Sequence, residues 1–163
     1  MGENLNLEEY SSVFLYLREI AKKRGFSLDE YIIYLISRDE FIENSEEKVE
    51  VYLKLHEKYM KDADTCEKKA DYVQASEKLW CSVTSLLSAI AEKRGWRHFS
   101  HRDYSEIIER LVKETSKPEL SKLFASAERL HANHYHNFLV EESFKELKSD
   151  VEKLISILRT LVT

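Results

Sequence analysis

The sequence contains almost no residues that permit tight turns. Three glycines and one proline occur among its 163 residues, whereas average usage of about 7% and 5% would give roughly 20. Sandwiches and barrels need many tight turns, so this shortage predicts an all-α fold. Only Gly25 and Gly95 lie inside the chain, which excludes the glycine-rich phosphate-binding loops of Rossmann and P-loop enzymes.

The apolar residues follow a helical period along most of the chain. One predicted inner face reads Tyr52, Leu55, Tyr59, Ala63, Cys66 and Ala70. The pattern predicts an antiparallel up-and-down bundle of about five helices in residues 45–163, preceded by a helical hairpin in residues 1–44. Gly25 is predicted to end the first hairpin helix, residues 39–45 to form a linker and residues 96–102 to form a loop.

Charge and composition narrow the expected partners and compartment. The 25 basic and 30 acidic residues are interspersed and give a net charge of −5, so we expect no DNA binding, and any RNA contact must be local. An acidic N-terminus and the lack of a long apolar run predict a cytoplasmic protein that does not enter a membrane. Abundant Lys and Glu beside a single glutamine indicate a thermophilic source.

Side chains able to move protons are concentrated between Arg129 and Asn137. Three of the six histidines fall in this stretch: His131, His134 and His136. A metal site is one interpretation, because imidazole is a common ligand. However, a regular helix turns His136 about 140° away from His131, which opposes three converging ligands. We expect neither a bound metal nor a cofactor.

Two further interpretations of the stretch are open. In a structural one, the histidines cap the helix, hydrogen-bond carbonyls or pack on aromatic rings. In a chemical one, they act on a phosphodiester or bind a nucleotide. A neutral histidine can take the proton of a 2′-hydroxyl while an arginine balances charge on the phosphate. Arg129 and His136, seven residues apart, would share a helix face for this purpose.

Three segments resemble the archaeal PaREP family: DYVQASEKLW at residues 71–80, IAEKRGW with SHRD at residues 90–103, and LHANHY at residues 130–135. That family is grouped with the HEPN superfamily, helical bundles of the higher-eukaryote and prokaryote nucleotide-binding type. Many HEPN members carry an Arg-x4-6-His motif that cleaves RNA without a metal where two protomers meet. Others have lost it and serve as binding or partner modules.

The resemblance implies a HEPN-like protein that binds or cleaves RNA without a metal, or binds nucleotides. Arg129-x4-His134 and Arg129-x6-His136 fit the motif spacing, so Arg129, His134 and His136 are the catalytic candidates. The family pattern has Phe-Tyr-Glu where this chain has His134-Tyr135-His136. The residues expected to line the substrate are His101, Arg102, His131, Asn133 and Tyr135. The alternative is a non-catalytic helical interaction module, such as a partner of a nucleotidyltransferase-type toxin–antitoxin system.

The N-terminal hairpin carries more apolar residues than one interface can bury. Residues 31–36 are six consecutive apolar residues, which cover the full circumference of a helix. A second surface must therefore be covered by the body or by another protomer. Because HEPN relatives commonly pair, we expect a homodimer to which the hairpin contributes.

Overall fold

A computed structural model describes residues 11–24, 26–37 and 45–162. The described residues form seven helices and no strand, which confirms the predicted all-α fold. The helices are α1 (Ser11–Lys23), α2 (Leu28–Ser37), α3 (Ser45–Lys68), α4 (Tyr72–Arg94), α5 (His101–Thr115), α6 (Glu119–His136) and α7 (Glu141–Val162).

The chain divides into two compact units, residues 1–39 and 40–163. The first contains the hairpin of α1 and α2, whose helices pack on each other. Aromatic rings hold the connection together, because Phe26 stacks on Tyr34 at 5.6 Å and Tyr34 stacks on Tyr31 at 5.9 Å between centroids. The predicted stop at Gly25 and the predicted linker up to residue 44 lie outside the described residues.

Helix α4 is the centre of the second unit. It contacts α3, α5, α6 and α7, and every residue from 75 to 91 except Lys78 is buried. Small side chains make this packing close, since the buried stretch includes Ser76, Ser82 and Ser85. Five helices around one shared core confirm the predicted bundle.

A tight turn joins α3 to α4 and makes the two helices antiparallel. Ala70 lies in the left-handed region with φ 56°, and Asp71 caps α4 by accepting a hydrogen bond from the backbone N–H of Gln74 at 3.0 Å. Left-handed residues also end the next helices, namely Gly95 after α4, Ser116 after α5 and Asn137 after α6. The chain therefore turns with three non-glycine residues in a conformation that glycine adopts most easily.

The predicted loop at residues 96–102 is too long. Ser100 caps α5 through its side chain, which accepts a hydrogen bond from the Asp103 N–H at 3.2 Å. His101 and Arg102 therefore lie in the first turn of a helix and not in a loop. In the part of the chain that the structure describes, no helix has the length and apolarity required to cross a membrane.

Candidate functional site

Three rings from three helices meet in the bundle, where Trp80 and His131 are buried and His101 is exposed. The indole of Trp80 on α4 stacks on the imidazole of His101 at 5.0 Å and on that of His131 at 4.6 Å between centroids. The two imidazoles are themselves 4.9 Å apart. If they lay on opposite faces of the indole, their separation would be nearly twice as large, so both lie on the same face. We call Glu77, Trp80, His101 and His131 the His131 cluster.

Glu77 orients the His131 ring. Its Oε2 lies 3.2 Å from His131 Nδ1, and both residues are buried, with Glu77 2% and His131 9% exposed. An ionised carboxylate only accepts hydrogen bonds, so Nδ1 carries the proton that is donated to it. The other carboxylate oxygen of Glu77 accepts a weak hydrogen bond from the Cys81 thiol at 3.8 Å.

The start of α5 fixes the position of His101. Asp103 accepts a hydrogen bond from the backbone N–H of Phe99 at 2.8 Å, while Ser100 caps the helix. Burial alone would raise the pKa of Asp103, but the hydrogen bonds from Phe99, Ser100 and Arg97 outweigh it and hold that pKa below its usual range. The SHRD segment is therefore a reciprocal cap that presents His101 to the indole.

Aromatic neighbours enclose the cluster. Phe124 and Tyr104 pack against the Trp80 indole at 5.8 and 6.2 Å. Tyr135 meets His131 edge-on at 5.1 Å and is 54% exposed, so it borders the cluster on the solvent side. The imidazole of His134 lies 5.0 Å from the Tyr135 ring.

Two buried polar atoms near these rings have no hydrogen-bond partner among the described residues. They are Nε1 of Trp80 and Nδ1 of His134. Buried donors and acceptors are nearly always paired with protein, ordered water or a ligand. These two atoms are therefore the unsatisfied polar groups beside the cluster in the described part of the chain.

Asn133 holds the end of α6 in place. It is fully buried, and its Oδ1 accepts hydrogen bonds from the backbone N–H groups of Phe138 and Leu139, both at 2.9 Å. Its amide nitrogen donates to the Ser76 hydroxyl at 3.1 Å. Both the oxygen and the nitrogen of the Asn133 amide are therefore hydrogen-bonded, and they fix the loop that leads to α7.

The structure does not bring the three predicted catalytic residues together within one chain. Helix α6 is regular to His136, so Arg129 and His134 point about 140° apart, and Arg129 lies on nearly the opposite side from His131. The Arg129 guanidinium packs over the Phe138 ring at 5.2 Å, and His136 is exposed. Of the predicted substrate-lining residues, His101, His131 and Tyr135 come together. The exposed Arg102 donates to Glu106 along α5.

Sequence reasoning missed the two members contributed by α4. Trp80 is 1% exposed, as a core residue would be, and its indole forms the surface on which both imidazoles lie. Glu77 is absent from the candidates that motif spacing indicates. The available signal was a carboxylate one turn before Trp80, within a helix whose remaining inward positions are small or apolar.

The His131 cluster offers paired imidazoles and one carboxylate. The described residues contain no group of three or more His, Cys, Asp or Glu side chains arranged to hold a metal ion. A histidine oriented by a buried carboxylate is suited to accept a proton at its other nitrogen. The arrangement can therefore perform acid–base chemistry with the side chains that it contains.

Comparison with known proteins gives the family. The profile of the archaeal PaREP1/PaREP8 family matches residues 51–155, which include Glu77, Trp80, His101 and His131. The chain belongs to this family. A crystal structure of a protein from Sulfolobus solfataricus resembles it with a TM-score of 0.56 and 22% sequence identity, covering 71% of this chain and 97% of the other. At that identity the likeness concerns the fold alone. No curated protein matches the chain.

Proposed function

We propose that this PaREP-family chain is a HEPN-like protein that binds RNA and cleaves it without a metal, using the His131 cluster. The observation that carries the proposal is the pair of imidazoles, His131 and His101, on one indole face, with Glu77 hydrogen-bonded to His131. Two imidazoles beside each other can serve as the base and the acid of one reaction. The HEPN assignment rests on the sequence resemblance and on the all-α bundle.

In the proposed reaction His131 takes the proton of a ribose 2′-hydroxyl. Glu77 keeps the Nδ1 proton of His131 in place, so the proton is accepted at Nε2. The 2′-oxygen then bonds to phosphorus, the bond from phosphorus to the 5′-oxygen breaks, and protonated His101 donates a proton to the leaving oxygen. The products are a 2′,3′-cyclic phosphate and a 5′-hydroxyl end, with no oxidant or metal required.

The experiment is to incubate the purified protein with unstructured and structured RNA in the presence of a chelator. We expect His131→Gln and His101→Gln to lower the cleavage rate by about 100-fold or more, since loss of a general acid or base has this effect. Glu77→Gln should lower the rate less and change its pH profile, because Glu77 positions the base. Thermal melts establish that each variant is folded.

A double variant, Arg129→Ala with His134→Ala, separates this site from the motif predicted by spacing. If the double variant cleaves like wild type while His131→Gln does not, the His131 cluster is the site. The reverse result would assign cleavage to the Arg129 motif and would overturn the proposal. Intact RNA with the wild-type protein would overturn the enzymatic function altogether.

A second candidate function is a non-catalytic interaction module. The observation favouring it is an apolar surface at the end of α6, where Tyr135, Phe138 and Val140 are 54%, 44% and 61% exposed. Exposed apolar groups close together are typical of protein contact surfaces. Intact RNA combined with no RNA binding, measured by fluorescence anisotropy, would support this function.

A further inference from the structure

A second set of hydrogen-bonded polar residues connects α3, α4 and α7. His56 on α3 is 2% exposed, and its Nδ1 lies 2.7 Å from the Ser82 hydroxyl and 3.2 Å from the Ser82 carbonyl oxygen. Its Nε2 lies 3.0 Å from Nε and 2.9 Å from Nη2 of Arg159 on α7. We call these three residues the Arg159 site.

The chemistry of arginine fixes the protons in this group. A guanidinium only donates hydrogen bonds, so His56 Nε2 must be the unprotonated acceptor, and Nδ1 carries the proton. Nδ1 then donates to Ser82. Burial, and next the positive charge of Arg159, lower the pKa of His56 against the opposing effects of the Ser82 carbonyl and Glu57. His56 is consequently neutral and supplies no negative charge to balance that of the exposed Arg159.

One edge of the Arg159 guanidinium remains available. His56 occupies the side edge, formed by Nε and Nη2, whereas the end edge, formed by Nη1 and the second N–H of Nη2, points elsewhere. Among the described residues no carboxylate oxygen lies within 4.0 Å of this guanidinium. Two parallel N–H groups on one edge match the two oxygens of a carboxylate.

Concave surfaces flank Arg159 on two sides. One has a volume of about 370 Å³ and is lined by Leu53, His56, Glu57, Leu86, Arg159 and Val162. The other has a volume of about 250 Å³ and is lined by Met60, Glu152, Ile155, Ser156 and Arg159. The larger one therefore combines a cationic group with an aliphatic wall, the usual composition of a small-molecule site.

We propose that the Arg159 site binds a small aliphatic carboxylic acid. Arg159 holds the carboxylate through its end edge, and the aliphatic chain packs against Leu53 and Val162. Glu57 borders the same cavity and opposes a second negative charge. The site therefore selects a monoanion with an apolar tail over a doubly charged phosphate.

This site is separate from the His131 cluster. Trp80 and Ser82 are two residues apart on α4 and so point about 200° apart. The Arg159 site and the His131 cluster therefore lie against opposite sides of the central helix. Binding at Arg159 is expected whether or not the chain cleaves RNA.

The test uses the full chain and three probes: hexanoate, the neutral hexanamide and inorganic phosphate. Binding is followed by calorimetry and by the shift of the Arg159 Nε–H signal in ¹H–¹⁵N spectra. We expect hexanoate to move this signal and to bind about tenfold or more tightly than either other probe, because hydrogen bonds to a charged group are the strong ones. Equal binding of hexanoate and hexanamide, or of hexanoate and phosphate, would overturn the proposal.

Variants locate the binding. Arg159→Gln should weaken hexanoate binding about tenfold, and Leu53→Ser should weaken it by a smaller factor through the lost apolar wall. Lys153→Gln is the matched control, since it removes one positive charge from the exposed side of the same helix. Thermal melts show that the variants are folded. If Arg159→Gln and Lys153→Gln weaken hexanoate binding equally, the effect comes from the net charge of the protein and not from a site at Arg159. That result would contradict the proposal.

Discussion

At the scale of the residue, two buried histidines differ in the charge of their hydrogen-bond partner, and this charge affects whether the imidazole can become protonated. His131 faces the carboxylate of Glu77, which accepts a hydrogen bond from its Nδ1–H. His56 faces the guanidinium of Arg159, which donates to its Nε2. Glu77 therefore engages the Nδ1 of His131 and not its Nε2, whereas the Nε2 of His56 accepts from Arg159 and His56 is held neutral.

The neutral state of His56 predicts a pH dependence of stability. Burial and Arg159 hold its pKa below the ordinary 6.5. A histidine whose pKa is lower in the folded chain stabilises the fold above the unfolded pKa, and this contribution is lost as the pH falls. We expect the free energy of unfolding to decrease below about pH 6.5 more steeply in the wild type than in His56→Gln.

Urea unfolding at a series of pH values measures this difference. Nitrogen chemical shifts of the His56 ring should in addition show the neutral form with the proton on Nδ1. Parallel pH curves for the wild type and His56→Gln would contradict the prediction.

At the scale of the element, non-glycine residues occupy the left-handed positions at helix ends where glycine is usual. Ala70, Ser116 and Asn137 take the left-handed conformation after α3, α5 and α6, with φ values of 56°, 56° and 46°. This conformation costs about 1–2 kcal/mol for a residue with a β-carbon. The bundle tolerates it because neighbouring contacts fix each turn, such as the Asp71 cap and the hydrogen bonds to Asn133.

We expect Ala70→Gly to stabilise the protein by about 0.5–1 kcal/mol. The substitution relieves the left-handed strain, and the greater freedom of glycine in the unfolded chain removes part of the gain. Ala125→Gly is the matched control. Ala125 is exposed inside α6, so the same chemical change should destabilise by about 1 kcal/mol there. Urea unfolding of both variants measures the two effects, and a loss of stability in Ala70→Gly would refute the account of this turn.

At the scale of the whole molecule, the hairpin exposes several apolar side chains. In the described part of α1, Val13, Leu15 and Tyr16 are 51%, 59% and 68% exposed, and Leu35 of α2 is 41% exposed. Water contact with so many apolar groups is unfavourable, and a second protomer would remove it. We therefore propose that the protein is a homodimer in which the hairpin takes part.

Light scattering at tens of micromolar tests the assembly. The wild type should have the mass of a dimer, and the double variant Val13→Lys with Tyr16→Lys should shift to the monomer. Ser12→Lys, an exposed polar position on the same helix, should remain dimeric. A monomeric wild type would contradict the dimer, and a dimeric double variant would exclude α1 from the contact.

Much of the fold was accessible from the sequence because helices are specified by local signals. The apolar period is such a signal, because it acts within one or two turns of the chain. Prediction failed at the start of α5, where the Ser100 cap places His101 in the first turn of the helix and not in the preceding loop. Asn133 was expected to contact substrate, and only its contacts with Ser76 and the following loop reveal its structural task.

The sequence by itself determined the all-α class, the five-helix body and the family, because turn residues, periodicity and motif order are properties of neighbouring residues. Only the tertiary structure decided which polar side chains meet. Glu77, His101 and His131 are far apart along the chain, as are His56 and Arg159, and each group forms across α4. The physical reason is that a regular helix separates nearby residues, such as Arg129 and His131, onto opposite faces, while packing brings distant ones to within hydrogen-bond distance.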